Sequence, residues 1–452
     1  MFVYCVREYV ALAGLTHEII PNCSSHSRYI LIYQFETYQN VCYDLLDHGR
    51  RNISVAGLKS RYFGTLTDKR SVIDTFGDWY WLQPYTEYCQ RAQRKISFMK
   101  LPRHAEIWFV PYLRDRLRKS MRSKKPKRAW VSIADHYEPL GMGASYKTAL
   151  ACVSRWRDQW PRVADDAPRD ATGQRPQYSF FYPQEEYQRD MLDGLAEIVR
   201  LGIGDVEVHL HHHNESRDSF IHKITEYCRR LTCDHGLLRQ LNGRTVFGFI
   251  HGNWALDNSR PDGKCCGLNG EISLLRDLGC YADFTMPSAP SVTQGRIVNQ
   301  IYWCTNNFDN SPKSFDHGIE VTVGGGRRGD LLMITGPLGL RFGDRLMPRM
   351  ETGEIAGYDM PTPSRVRLWF DLAPTIGEDI FLKLYTHGAQ ERNFEPLLNG
   401  GLGGLFGWLA EEAARRNIKI HWATAWQMYQ AADALIHGCQ PVSCPAVVDG
   451  SR

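Results

Sequence analysis

The residues best suited to chemistry lie in one internal run, Glu207-Val208-His209-Leu210-His211-His212-His213-Asn214-Glu215. Successive side chains of an extended chain point to opposite faces, so Glu207, His209, His211 and His213 would share one face, and Val206, Val208 and Leu210 the other. Imidazoles converging in this way are natural ligands for zinc or a similar divalent ion. If the chain turns after the strand, His209 and His213 would instead pair across the turn. The alternative is an exposed polar run, against which stands the position of the cluster directly after an apolar strand.

A second feature is Asp135-His136, at the end of the apolar stretch Val131-Ser132-Ile133-Ala134. A carboxylate and an imidazole at one rim suit metal-assisted hydrolysis, in which the carboxylate deprotonates a water whose pKa the metal lowers. Taken alone, an aspartate there is more often a cap. A third is Leu382-Lys383-Leu384-Tyr385-Thr386-His387-Gly388, a late strand ending in histidine. Further polar residues fall where strand ends would place them. His251 and Asn253 follow a strand ending at Ile250, and Asp283 lies in the next one. Trp254 is placed either to stack on a sugar ring or to fill the core. Arg365 and Arg367 precede Trp369 and could hold an anionic sugar group or orient a carboxylate.

The elements that must position these residues alternate. Strands are expected at 129–134, 205–210, 245–250, 281–286 and 380–385. Helices are expected at 187–201, 220–238, 270–278 and 404–416. Strand–helix alternation of this kind predicts an α/β fold with parallel strands and a site at their carboxyl ends. Residues 1–112 carry strand-like Arg28 to Phe35 and an aromatic, basic stretch from Trp79 to Met99, but no chemical motif. Residues 113–128 form a basic run, either linker or surface helix. The expected organisation is therefore an accessory region at 1–128, a catalytic domain at 129–435 and a tail at 436–452.

Charge divides along the same line. Residues 1–130 carry 22 Lys and Arg against 11 Asp and Glu, whereas the remainder is acidic, giving +4 for the 452-residue chain. A basic arm of this kind can meet an anionic membrane surface or an acidic protein through 113–128, or can simply be solvated. No nucleic-acid partner is expected. Thirteen cysteines occur without a CxxC pair, which argues against a zinc ribbon and fits reduced thiols. No run of 18 apolar residues is present, and the first residues make a poor signal peptide, so a cytoplasmic location is expected.

The order of the three features resembles the NodB-like polysaccharide deacetylases, carbohydrate esterase family four. In that family a first motif pairs a catalytic aspartate with a metal-binding aspartate, which Asp135 and His136 match in position. A His-x-x-x-His motif follows, which His209 and His213 fit, and a late strand ends in a histidine acid, matched by His387. The segment Phe249-Ile250-His251-Gly252-Asn253-Trp254-Ala255-Leu256-Asp257-Asn258-Ser259 is similar to uncharacterised bacterial members, as is Gly279 to Ser288. The usual Asp-Asp is Asp-His here, and His251-Gly252-Asn253-Trp254 replaces an arginine-containing motif. The resemblance spans about residues 129–430 and implies a distorted (β/α) barrel with its site at one mouth. It implies removal of acetyl groups from a polysaccharide or glycan precursor. A divalent metal, zinc or else cobalt or manganese, would be held by His136, His209 and His213, with His211. Asp135 would be the base and His387 the acid, with His251, Asn253, Trp254, Asp283 and Arg365 binding substrate. Two other expectations remain open: a glycoside hydrolase on a similar barrel, and a carbohydrate-binding or scaffold protein of a polysaccharide pathway.

Overall fold

The computed structural model describes residues 101–122, 124–342 and 348–441. The expected strand at Arg28 to Phe35, the stretch from Trp79 to Met99 and most of the tail lie outside the described residues. Those described belong to one compact unit, Lys95–Arg452. It opens with helix α1 (Ala105–Ser120), followed by β1 (Arg128–His136), α2 (Tyr146–Asp166), β2 (Tyr178–Pro183), α3 (Arg189–Arg200) and β3 (Gly204–Leu210). Helix α4 (Arg217–Cys233), β4 (Arg239–Leu241), β5 (Arg244–His251), α5 (Glu271–Leu278) and β6 (Cys280–Asp283) continue the alternation. Three short strands, β7 (Ile301–Cys304), β8 (Ile319–Glu320) and β9 (Leu331–Ile334), precede a small hairpin of β10 (Gly339–Arg341) and β11 (Arg349–Glu351). The chain closes with α6 (Pro363–Leu372), β12 (Thr375–Ile376), β13 (Asp379–Thr386), α7 (Glu391–Pro396), α8 (Leu402–Arg415), β14 (Lys419–Trp422) and α9 (Ala425–Ile436).

Twelve strands form one sheet in the order β12-β13-β1-β2-β3-β5-β6-β9-β7-β8, with β14 also on β1 and β4 also on β5. The seven pairings along β13-β1-β2-β3-β5-β6-β9 and β1-β14 are parallel. The fold is thus mixed α/β around a mostly parallel sheet, as the alternation predicts. Among the described residues the ladder does not close on itself.

The sheet is nevertheless strongly curved. Strand β13 lies five places from β6, which at about 4.8 Å per step would separate them by about 24 Å in a flat sheet. Yet Lys383 of β13 donates to the carbonyls of Phe284 and Met286, just beyond β6, at 2.7 Å each. Only a sheet curled around its inner face allows that reach.

Burial on both faces explains why β1 is apolar almost throughout. Ala129, Val131 and Ile133 face the helices and pack with Trp156 and Trp160 of α2, Leu192 of α3 and Phe220 of α4. Trp130 and Ala134 face inward with Phe181, Ile250, Phe381 and α9. Helix α2 buries Ala149, Cys152, Val153, Trp156, Trp160 and Ala164, a single helical stripe, and Ser145 caps it by accepting from Thr148 N at 3.1 Å.

Helix α1 falls before the boundary expected at 128, yet it packs on this same body. Trp108 and Tyr112 join Leu338 and Leu372 in a third cluster, and buried Asp115 meets Arg118 at 3.1 Å and Lys119 at 2.9 Å. Beyond the helix, Arg128 pairs with Asp379 at 2.7 Å. Much of the basic run is therefore engaged within the fold. No described helix is long and apolar enough to cross a membrane.

Candidate metal centre

Parallel pairing brings the carboxyl ends of β1, β2 and β3 to one edge, with His136 opposite Phe181 and Pro183 opposite His209. His136 ends β1, His209 is the penultimate residue of β3, and Glu138 follows two positions after His136. One ligand atom from each of His136, Glu138 and His209 lies within 4.8 Å of the others, a grouping that could hold a metal ion.

Hydrogen bonds define what these atoms present. His209 Nδ1 lies 2.8 Å from the carbonyl of Ile250, which can only accept, so this nitrogen carries the proton. Its Nε2 then offers a lone pair toward Glu138 Oε1, 3.1 Å away. Two acceptors facing each other require a cation between them, either a proton or a metal. An imidazole whose far nitrogen is tied to a backbone carbonyl is also how metal-binding histidines are usually oriented. Burial pushes His136 well below the usual histidine range, helped by His387 and His209, so it is a neutral donor. Against burial, a proton shared with His209 Nε2 and charge on the neighbouring histidines would hold Glu138 down to about 2, so the carboxylate is ionised when a cation stands between the two. The donor set thus fits a divalent ion: two imidazoles with available lone pairs and one ionised carboxylate.

Around this core stand His211, His387 and Trp254. The ring of His387 is 4.8 Å from that of His136, and that of Trp254 is 5.6 Å away. Burial lowers His387, against the pull of Glu138 and Glu354. His211 packs against His209 with ring centroids 4.7 Å apart, sits 3.6 Å from Glu138 and pairs through Nδ1 with Glu185. Burial opposes its charge, but Glu185, Glu138 and Glu186 prevail and raise its pKa. A cleft of about 560 Å³ opens beside the centre, lined by Trp254, Tyr385, His387, Glu354, Tyr358 and Arg392 among others.

No known family model matches the chain, and no curated protein matches it either.

Several residues lie elsewhere than the sequence implies. Asp135 does not join the centre, because strict alternation along β1 sends it to the helix side, opposite His136. Its carboxylate accepts from Tyr178 Oη at 2.8 Å and Gly388 N at 2.6 Å. Burial raises it to about 7 despite those bonds. Asp135 thereby clamps the turn that carries His387. Gly388 is required there, since a Cβ would stand 2.2 Å from Asp135 Oδ2. Asp135→Asn keeps the shape and both bonding partners, so turnover should fall no more than about tenfold. A general base would cost about 10²–10⁴-fold, and a steady-state assay of the variant separates the two.

Strand phase also fails beyond Leu210, where β3 stops. His213 is exposed and its Nδ1 accepts from Cys265 N at 3.1 Å, so it is not a ligand of this centre. His212 turns inward instead, to His251 and Glu271. His251 is fully buried and does not face the cleft. Burial holds His212 at about 4 and His251 at about 3. Asn253 is exposed outside the cleft lining. Asp283 is buried and accepts from Thr285 N at 2.9 Å and Thr285 Oγ1 at 2.7 Å, leaving it no route to substrate. Arg365 borders the cleft but its guanidinium is committed to Glu351 at 2.8 and 2.9 Å. Glu207 faces inward as expected, where it accepts from Gly248 N and Tyr281 Oη and pairs with Arg239, not with a metal.

Two participants went unread in the sequence. Glu138 follows His136 by two positions but lies beyond the end of β1, so strand alternation does not by itself announce it. Glu185, the partner of His211, sits in a short turn after β2 and has no local signature.

Proposed function

We propose that this protein is a metal-dependent hydrolase that removes acetyl groups from a polysaccharide or glycan precursor, on a distorted (β/α) barrel of the NodB type. The observation that carries this reading is the His209 lone pair facing the Glu138 carboxylate beside His136, at the carboxyl edge of a curled parallel sheet. His136, Glu138 and His209 would hold the ion, with zinc the best match to two imidazoles and a carboxylate, and cobalt or manganese as substitutes. The chemistry such an ion supplies is Lewis acidity, polarising an acyl carbonyl and acidifying water.

The chain's own groups would do the rest. His387 borders the cleft, and among the described residues no hydrogen bond occupies its ring nitrogens. It is placed to take a proton from water and return it to the leaving amine or alkoxide, held in position by the Asp135 clamp on Gly388. His211, whose pKa Glu185 and Glu138 raise, stands against His209 beside the centre and would tune the electrostatics there. Trp254 lines the cleft and would offer its ring to a sugar.

Purified full-length protein, stripped of metal and supplied with zinc, cobalt or manganese, is expected to release acetate from acetylated glycans and to stop on chelation. Acetate release that is indifferent to chelation, or none with any metal across N- and O-acetylated glycans, defeats the reading.

A further inference from the structure

Outside the candidate centre, three buried donor side chains converge on one point. Strand β5 ends on His251, the segment after β3 turns His212 inward, and Glu271 opens α5. His212 Nε2 lies 2.7 Å from His251 Nε2 and 3.4 Å from Glu271 Oε1, and His251 Nε2 lies 3.6 Å from that same oxygen. None of the three side chains has any exposed surface, and none lines the cleft.

The surrounding hydrogen bonds leave lone pairs pointing at that spot. His251 Nδ1 is 2.6 Å from the carbonyl of Gly252, so the proton sits on Nδ1 and Nε2 is an acceptor. The second oxygen of Glu271 accepts from Asp257 N at 2.6 Å. Asp257 in turn is fixed by Gly270 N, Glu271 N and Ser314 N at 3.0, 3.1 and 2.7 Å. His212 Nδ1 has no partner among the described residues, so a proton on Nε2, shared with His251 Nε2, is the alternative to a metal ion at that point. A proton shared between the two imidazoles would still leave the Glu271 oxygen facing them in a sealed space, and a bare buried carboxylate is costly. A divalent cation satisfies all three donors together. Imidazole tied to a carbonyl and carboxylate tied to main-chain N–H are the supports that orient metal ligands.

We propose that His212, His251 and Glu271 form a second, fully buried divalent-metal site of the zinc class, with a structural role. It would pin the segment after β3, the end of β5 and the start of α5 to one another. The inference does not depend on hydrolase activity at the first centre.

The test counts ions in the full chain after chelator stripping, zinc loading and removal of excess metal. Wild type is expected to retain two zinc per chain, and Glu271→Gln and His209→Ala one each. The zinc-dependent rise in unfolding temperature should shrink in Glu271→Gln. Zinc-edge anomalous scattering from wild-type crystals gives a reading that does not rest on the folding of that variant. Density between His212, His251 and Glu271 supports the site. One zinc per chain, unaffected by Glu271→Gln and located only at His209, overturns it while leaving the first centre standing; zinc at neither place overturns both.

Discussion

His209→Ala is expected to abolish metal retention at the candidate centre and to lower acetate release by more than about 10²-fold. Even a partner one shell removed from a ligand is typically worth 10–100-fold in metal affinity or activity, so a ligand itself should cost more. The change removes the Nε2 lone pair, strands the Glu138 carboxylate in a largely buried site and deprives the Ile250 carbonyl of its donor. Glu138→Gln should lose metal comparably, because an amide cannot supply the charge. His213→Ala is the control, since His213 is exposed and among the described residues its ring bonds only Cys265 N. Elemental analysis beside turnover, with circular dichroism to confirm folding, makes the comparison. A folded His209→Ala protein with wild-type metal at this centre and wild-type rate would remove the basis for the assignment.

The second large effect concerns stability rather than chemistry. Arg365→Met should destabilise the fold by about 3–5 kcal/mol, the usual range when one member of a buried ion pair is removed. Its guanidinium bonds both oxygens of Glu351 and the Glu354 carbonyl at 2.7 Å, and it stacks over Trp369 with its centre 5.0 Å from the ring. The variant leaves Glu351 buried, with Gly353 N at 3.1 Å and Arg341 at 3.6 Å as its partners among the described residues. The double change Arg365→Met with Glu351→Leu should recover much of the loss, because the unpaired charge goes with it. Urea denaturation of both variants decides this. Equal instability of the single and double variants would mean that Arg365 acts through packing alone.

The parts of the site that were legible in the sequence are those governed by local periodicity. The apolar stretch before Asp135, the Glu207–Leu210 strand and the late strand to Thr386 form where the pattern places them, and two of the residues that could hold an ion, His136 and His209, follow. Asp135 departs from its expected place because Asp135 and His136 are neighbours on a strand and face opposite ways. The histidine run departs from strict alternation because β3 ends at Leu210 and the backbone turns there. Arg365 resembles a ligand-binding arginine until its partner is known, and Glu351 comes from a different hairpin. Tyr178, Glu185 and Glu271 reach their partners only through tertiary packing, so no spacing announces them. The curl that lets Lys383 span the sheet is likewise a property of backbone twist accumulated over strands.

The placement of β1 between β13 and β2 also sets a timetable for the newborn chain. Its full-length neighbour begins at Asp379, 251 positions after Arg128. At roughly 5–20 residues per second, that partner emerges from the ribosome on the order of 10–50 s after β1 does. During that interval a strand apolar on both faces has an unmatched edge, which is a hazard for association with other chains. The strand that delivers His136 therefore reaches its final surroundings only once β13 and β14 have been made, and the yield of folded protein should depend on what shields that edge meanwhile.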